Sequence, residues 1–226
     1  MIRFTHPRGY RQSKSYTKDI HGKIISEPLS RATWWHADSL NIASLSDLYA
    51  ELKQLEHQKD SFITLGELAP EAKIALANGK LVRRTGVKKT GQIPTVVDSP
   101  SRFVCFDIDT AEWPKGMSIS EVLPKAINKA LPKAFHDISV IYQMSSSCLI
   151  KSQAILKCHL FFELTEPRTL QELKALDWWP KDIDGRLYID RALFTLSQPI
   201  FTAKPKLSGI TDPFLKNRTG FIKGSQ

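Results

Sequence analysis

Two carboxylates stand one residue apart at the end of an apolar run, in the stretch FVCFDIDT that covers residues 103 to 110. If this stretch is a β-strand, Asp107 and Asp109 share one face, because side chains alternate along a strand. Their carboxylates then lie about 7 Å apart or less and repel each other. A divalent cation removes that repulsion, and oxygen ligands at this spacing suit Mg²⁺ or Mn²⁺. The alternative is that both aspartates end the strand and cap the turn after it.

A second group of polar residues follows further along the chain. The stretch QMSSSC places three hydroxyls after a strand, where they and the backbone N–H groups can bind a phosphate: Ser145, Ser146 and Ser147. A plain polar turn is the alternative. In the strand AILKCHLFFEL, Lys157 and His159 fall on one face. A lone histidine in a strand is usually a core residue, but a lysine and a histidine together form a cationic patch that suits a triphosphate.

A third carboxylate stands later, in the stretch RLYIDRAL. Asp190 follows apolar residues there, as Asp107 does in its own stretch. With strict alternation Asp190 lies on the same face as Tyr188, opposite Leu187 and Ile189. We therefore expect Asp190 to be able to complete a triad of carboxylates with the first two.

Composition indicates a globular protein with an anionic partner. The chain has 226 residues, of which 42% are hydrophobic, enough for one large domain or two small subdomains. Its formal net charge of +9 attracts polyanions. No apolar run approaches the roughly 18 residues of a membrane span, which favours nucleic acid over lipid as the partner.

The cysteines and the N-terminus indicate the compartment. Cys105, Cys148 and Cys158 are odd in number and form no CxxC pair, so neither a disulfide framework nor a structural zinc site is expected. The basic N-terminal stretch MIRFTHPRGYRQSKSY lacks the apolar segment of a secretory signal. A cytoplasmic protein fits both observations.

The remaining patterns predict the elements that position these residues. Helices are predicted in four stretches: SLSDLYAELKQLEHQ, APEAKIALANGK, SISEVLPKAINKALPKAF and the residues after Thr169. Ser118 with Glu121, and Thr169 with Glu172, have the spacing of capping boxes, and Pro124 is expected in the first turn of its helix. From residue 101 onward the order is strand, helix, strand, strand. The fold class expected is mixed α+β.

Two further features admit two interpretations each. The stretch VRRTGVKKTGQIP holds four cations that are either a contact for a nucleic-acid strand or a solvated surface loop: Arg83, Arg84, Lys88 and Lys89. The tryptophan pairs Trp34 with Trp35 and Trp178 with Trp179 either stack on template bases or pack in the core, and the core is favoured.

Taken in order, the motifs FDIDT, SSS, KCHLFF, YIDRALF and QPIFTAKP resemble the archaeo-eukaryotic primase superfamily. They are similar to the primase-polymerase domains of phage, plasmid and mobile-element replication proteins, which carry a DxD pair, a strand with a small-x-His signature and a later single Asp. The tail GITDPFLKNRTGFIKG also looks like the end of such phage domains. The resemblance covers roughly residues 60 to 226, and its specificity lies in the order of the motifs.

The resemblance implies a site and a fold. Asp107, Asp109 and Asp190 would hold two catalytic Mg²⁺ or Mn²⁺ ions, and His159 would contact the phosphates of the incoming nucleotide. Nearby nucleotide-binding residues would be Ser145, Ser146, Ser147 and Lys157, although the family usually has a small residue where Lys157 stands. The fold implied is a catalytic sheet like the RNA-recognition motif over residues 100–226, joined to an N-terminal α/β module over residues 1–99 in one compact domain.

The same resemblance implies the partners: a single-stranded DNA template, a primer, (d)NTPs and a helicase domain or subunit. It also implies the cytoplasm of a bacterial host cell as the location, with no membrane.

Three other interpretations of the function remain open. A haloacid-dehalogenase-like phosphatase also begins with DxD, but its motif continues with Gly where Thr110 stands. A non-catalytic nucleic-acid-binding module explains the charge but not the three carboxylates, and a metal-dependent nuclease explains the carboxylates equally well.

Overall fold

The computed structural model describes residues 1–29, 32–86, 94–152, 154–177 and 179–225. The α-helices within them are α1 (Leu45–Leu55), α2 (Pro70–Ala77), α3 (Ile119–Ala130) and α4 (Leu170–Ala175). The strands are β1 (Ile2–Thr5), β2 (Ser15–Lys18), β3 (Ile24–Glu27), β4 (His36–Ser39), β5 (Ser61–Thr64), β6 (Glu67–Leu68), β7 (Val96–Val97), β8 (Ser101–Glu112), β9 (Val140–Met144), β10 (Ile155–Arg168), β11 (Lys206–Ser208) and β12 (Thr219–Ile222). Short 3₁₀ helices span Lys133–Phe135 and Arg191–Phe194. The expected mixed α+β class is confirmed.

The helix ends follow the capping signals in the sequence. The Ser44 hydroxyl accepts the Asp47 N–H at the start of α1, and Pro70 is the first residue of α2. Both expected capping boxes form, at the starts of α3 and α4. One detail of the prediction is wrong: Pro124 lies in the second turn of α3, not in the first. The capping box at Ser118 makes Ile119 the first helical residue, so Pro124 is the sixth, and one turn takes only about 3.6 residues.

A four-stranded antiparallel sheet in the order β12-β9-β10-β8 carries the polar motifs. β8, α3 and β9 form a unit in which β10 is inserted between the two strands, which is a split βαβ arrangement. β12, from the end of the chain, pairs with β9 on the other side. The motifs that are spread along the chain therefore meet on one sheet.

The first hundred residues build smaller sheets. β1 lies between β4 and β5, and β2 pairs with β3 and, in parallel, with β11 from the C-terminal part of the chain. The largest core cluster joins Leu48, Leu52 and Leu55 of α1 to the apolar face of the four-stranded sheet. A second cluster surrounds Phe4, Trp35 and Phe62. Side chains from both sides of residue 99 thus share one core, and the predicted domain boundary stays a prediction.

The structure also shows where Asp190, the tryptophans and the cysteines lie. The stretch around Asp190 forms single bridges, Ile108 with Ile189 and Lys181 with Leu187, followed by a 3₁₀ helix rather than a strand. Trp35 and Trp179 are buried, whereas Trp34 is about half exposed; Trp178 lies outside the described residues. The three cysteines are free and buried. No helix in the described part of the chain is both long and apolar enough to cross a bilayer.

Candidate functional site

A row of polar side chains crosses the four-stranded sheet. The register places Asp107 of β8 opposite His159 of β10, His159 opposite Gln143 of β9, and Gln143 opposite Thr219 of β12. Directly opposed residues of antiparallel strands have side chains on the same face. The pairing brings Asp107 and His159 side by side, as alternation predicts for β10 and for β8 up to Ile108. Gln143 and Thr219, which the sequence did not indicate, extend the row.

Several atoms in this row are buried without a hydrogen-bond partner among the described residues. His159 Nε2 lies 3.9 Å from Asp107 Oδ1, too far for a hydrogen bond. Asp107 Oδ1, His159 Nδ1 and Gln143 Oε1 have no partner, although Gln143 Nε2 donates to Thr219 Oγ1 at 3.0 Å. An unsatisfied buried polar group costs about 1–3 kcal/mol. Buried atoms in this state can be satisfied by a water, an ion or a polar ligand.

A β-bulge separates the two aspartates of the DxD pair. Ile108 pairs with Cys158 and Ala111 with Leu156, so Asp109 and Thr110 together face the single residue Lys157. Asp109 is exposed, and its Oδ1 lies 3.6 Å from Lys157 Nζ. The bulge thus places Asp109 beside the lysine, while Asp107 stays in the regular part of the ladder.

Asp190 reaches the same edge of the sheet through its backbone. Its N–H donates to the Asp107 carbonyl at 3.0 Å, next to the bridge between Ile108 and Ile189. The Asp190 carboxylate is exposed and accepts the Ala192 N–H at 2.8 Å, where it caps the 3₁₀ helix. The structure therefore brings together all three predicted carboxylates and both predicted cations of the site.

The surroundings of Asp107 shift the pKa of its carboxyl group. Burial raises the pKa of Asp107 above its ordinary value, and the negative charges of Asp109 and Asp190 raise it further. The charges of His159 and Lys157 oppose that shift. Among the residues that the structure describes, no group of three His, Cys, Asp or Glu side chains is positioned to hold a metal ion as it stands. The donors nevertheless fit a divalent cation in type, because they are hard oxygens whose mutual repulsion such a cation would relieve.

A cationic pocket of about 230 Å³ adjoins the carboxylates. Three lysines line it, Lys14, Lys151 and Lys157, together with Ser147, Ser152, Tyr16 and Ile155. Lys157 both lines this pocket and contacts Asp109, so it joins the pocket to the acidic cluster. Of the predicted serines, Ser147 lines the pocket. Ser145 donates its N–H to the Lys157 carbonyl at 2.9 Å, and the Ser146 and Ser147 hydroxyls lie against the phenol of Tyr16.

A buried arginine holds the serine loop in place. Arg218 donates to the carbonyls of Met144 and Ser145 at 3.2 and 3.0 Å. Its other terminal nitrogen donates to Asp212 at 2.7 Å, in an ion pair whose arginine side chain is only 2% exposed. Arg218 is therefore a positioning residue for residues 145–147. The sequence analysis did not indicate Arg218. Its only sequence signal is its position immediately before β12.

The predicted DNA-contact cations lie on the N-terminal part of the molecule. The Arg83 guanidinium stands 5.0 Å from the centre of the Trp34 ring, and that of Arg84 stands 5.7 Å from the centre of Phe62. Lys88 and Lys89 lie outside the described residues. Arg83 and Arg84 thus do not join the carboxylate site but form two contacts with aromatic rings.

We compared the chain with models of known protein families, with curated proteins and with solved structures. None of these comparisons found a match. The function of the site is therefore argued from its residues and their geometry.

Proposed function

We propose that the chain is a DNA primase-polymerase, a nucleotidyltransferase that adds nucleotides from (d)NTPs to a primer or an initiating nucleotide along a single-stranded DNA template. One observation carries the proposal: three aspartates lie at one edge of a sheet, and Lys157, which contacts Asp109, also lines a pocket with two other lysines. Acidic and cationic groups placed side by side match a reaction that needs metal ions at the reacting oxygens and cations at the phosphates.

The acidic half suits Mg²⁺ or Mn²⁺. Asp107, Asp109 and Asp190 would hold the ions. Bound there, the ions would lower the pKa of the attacking 3′-hydroxyl and neutralise charge on the leaving pyrophosphate. The buried Oδ1 of Asp107, which has no hydrogen-bond partner among the described residues, supports this assignment. The raised pKa of Asp107 supports it too, because burial and the charges of Asp109 and Asp190 disfavour the carboxylate, and a bound cation would offset both.

The cationic half suits a triphosphate. Lys14, Lys151 and Lys157 line the pocket, and the ammonium group of a lysine can form charge-assisted hydrogen bonds to phosphate oxygens. His159 lies beside Asp107 in the polar row and two residues from Lys157, and within the described part of the chain its ring nitrogen Nδ1 has no hydrogen-bond partner. We assign His159 the role of an electrostatic phosphate ligand rather than a general base.

The fold and the resemblance support the finer parts of the proposal. The split βαβ arrangement of β8, α3, β9 and β10 is compatible with a sheet like that of the RNA-recognition motif. The net charge of +9 suits a nucleic-acid template. A helicase domain or subunit and a cytoplasmic location in a bacterial host follow from the resemblance alone.

The test is synthesis on single-stranded DNA with labelled nucleotides and Mg²⁺ or Mn²⁺, with and without a primer. We expect product from the native chain and none from a variant that carries both Asp107→Asn and Asp109→Asn. Asp137→Asn, which changes an aspartate outside the site, is the matched control and should keep full activity.

The alternatives give other results. Degradation of the template without extension would assign a nuclease. Binding of single-stranded DNA without product, with either metal, would assign a non-catalytic replication module. The unprimed reaction separates a primase from a polymerase that only extends.

A further inference from the structure

A second pocket, of about 470 Å³, lies in the N-terminal part of the molecule. Three aromatic rings line it: Trp35, Phe62 and Phe201. The Phe62 ring centre lies 4.9 Å from that of Trp35 and 5.7 Å from that of Phe201. This volume falls within the roughly 300–1,000 Å³ of small-ligand sites, so the pocket has room for a planar ring system.

The backbone explains which side chains enter this pocket. Trp35 and Val82 exchange two hydrogen bonds, of 2.7 and 2.9 Å. Trp34 and Arg83, the next pair along, therefore face the opposite side, where Trp34 is 48% exposed. Arg84, two residues beyond Val82, returns to the side of Trp35 and lines the pocket. One aromatic and cationic pair thus lines the pocket, and the other, Trp34 with Arg83, faces the opposite side of the same bridge.

Arg84 gives the pocket a positive charge. Its guanidinium stands over the Phe62 ring and donates to the Ser197 carbonyl, which fixes its position. Burial lowers the pKa of Arg84 from its ordinary value, and a desolvated guanidinium interacts more strongly with π systems and anions than a hydrated one. Rings that are held beside a fixed cation suit a ligand that is aromatic and bears an adjacent negative charge.

Two chain segments connect this pocket to the carboxylate site. Gln12 lines the aromatic pocket, and Lys14 lines the lysine pocket. Two residues of extended chain span only about 7 Å, so the two pockets lie close together along this segment. On the other side, the segment that follows Asp190 leads through a 3₁₀ helix to Pro199 and Phe201. A polynucleotide that passes the carboxylates can therefore reach the aromatic pocket.

We propose that this aromatic pocket accepts an unpaired base of a single-stranded polynucleotide, with Phe201 and Arg84 as its stacking contacts. Every nucleobase has a π face, and stacking tolerates any sequence. Lys14, two residues from Gln12, favours a strand over a free nucleotide, because it offers a contact for a further phosphate close to the bound base. The inference goes beyond nucleotidyl transfer and does not need it.

The test compares two labelled oligonucleotides of about 12 nucleotides, a length within known single-strand site sizes. One is oligo(dT) and the other carries abasic residues in its central part, so both present the same phosphates. Fluorescence anisotropy with EDTA present measures their affinities for the full chain in the absence of catalysis. We expect the native chain to bind oligo(dT) at least about fivefold more tightly than the abasic oligomer, the lower end of one stacking contact.

Two variants test whether the preference for oligo(dT) over the abasic oligomer comes from the aromatic pocket. Phe201→Leu keeps an apolar side chain but removes the π face, and Arg84→Gln removes the cation. We expect the ratio of the two affinities to fall towards one in both. Arg168→Gln and Phe221→Ala, which change an arginine and a half-exposed phenylalanine outside the pocket, should keep the native ratio. Thermal melting identifies any variant that fails to fold, and Phe201→Leu is the one expected to melt as the native chain does.

Three results would overturn the proposal. The first is equal affinity of the native chain for both oligomers. The second is a native ratio that survives in a folded Phe201→Leu variant, which would locate the base elsewhere. The third is displacement of oligo(dT) by dTTP from the native chain but not from Phe201→Leu, which would assign the pocket to a free nucleotide. Because EDTA prevents catalysis, these results are independent of whether the chain polymerises DNA.

Discussion

The backbone N–H of Asp190 donates to the carbonyl of Asp107 at 3.0 Å. The third carboxylate is therefore attached to the DxD strand by the main chain, and no side-chain bond between the two aspartates is needed to hold them together. A change of either carboxylate can remove function without removing this attachment. Substitutions at the site are for that reason informative about chemistry rather than about folding.

Asp107→Asn should stabilise the fold while it abolishes activity. The carboxyl group of Asp107 has a raised pKa because it is buried next to two other carboxylates, so its ionised form destabilises the folded state. Removal of the charge should increase the free energy of unfolding by about 1 kcal/mol at neutral pH, in the range of stabilising changes at functional sites. Urea denaturation in EDTA measures this gain.

The direction of the pKa shift also determines how the stability gain of Asp107→Asn depends on pH. A carboxyl whose folded pKa is raised binds its proton more tightly in the folded state, so its destabilising effect appears above the ordinary pKa of about 3.9. The destabilising effect is complete above the raised pKa of the folded state. The advantage of Asp107→Asn should therefore be small near pH 4 and full near pH 7. Asp109→Asn, at an exposed residue paired with Lys157, should show no gain, and equal gains at both pH values would contradict the explanation.

Lys157→Gln should weaken nucleotide binding more than metal binding. Lys157 lines the lysine pocket and contacts Asp109. Loss of one charge-assisted hydrogen bond should raise the KM for the nucleotide about tenfold. Loss of the cation beside Asp109 should leave the metal concentration needed for half-maximal rate unchanged or lower. Lys133→Gln, at an exposed lysine outside the pocket, is the control, and a higher metal requirement without a change in KM would be the opposite of this expectation.

Arg218→Met should destabilise the protein strongly. The variant leaves Asp212 and the carbonyls of Met144 and Ser145 without their cationic partner in a nearly buried position. Removal of one member of a buried ion pair costs about 3–5 kcal/mol. Arg102→Met is the matched comparison, because that arginine forms an exposed pair with Glu163 and such pairs contribute about 1 kcal/mol or less. Similar melting temperatures for the two variants would argue against the positioning role of Arg218.

The thiol next to the serine loop should be unreactive in the folded protein. Burial raises the pKa of Cys148 to about 11, so about a thousandth of it is ionised at pH 8, and only the thiolate reacts. Cys105 and Cys158 are buried as well. A thiol reagent at pH 8 should therefore modify none of the three within minutes, and all three once the chain is unfolded in urea. Rapid modification of Cys148 in the folded state would show that the loop opens.

Local patterns predicted the elements well, because each signal acts over a few residues. The capping residues Ser118 and Thr169 start their helices as expected, and alternation in β10 correctly placed Lys157 and His159 on one face. The neighbourhood of the three aspartates was harder to predict. It depends on a pairing between β8 and β10 and on a bridge at Ile189, both set by long-range packing.

What the sequence could not indicate comes from distant parts of the chain. Lys14 and Lys151 reach the lysine pocket from different elements, and nothing in their local sequence distinguishes them from other surface lysines. Gln143 lies in an otherwise apolar strand, and only its pairing with His159 gives it a role. Pairing between strands and the approach of loops are fixed by the tertiary fold, which residue spacing along one segment does not encode.

The bulge opposite Lys157 divides β8 into two mechanically different parts. From Phe103 to Ile108 the ladder to β10 is regular, whereas Asp109 and Thr110 share a single partner, which interrupts the backbone hydrogen bonds there. Amide hydrogens beyond the bulge should exchange with solvent faster than those before it. Asp107 thus belongs to the rigid part of the strand and Asp109 to the compliant part. If the proposed ions bind here, Asp107 would be a fixed ligand, whereas Asp109 could follow an ion as its coordination changes.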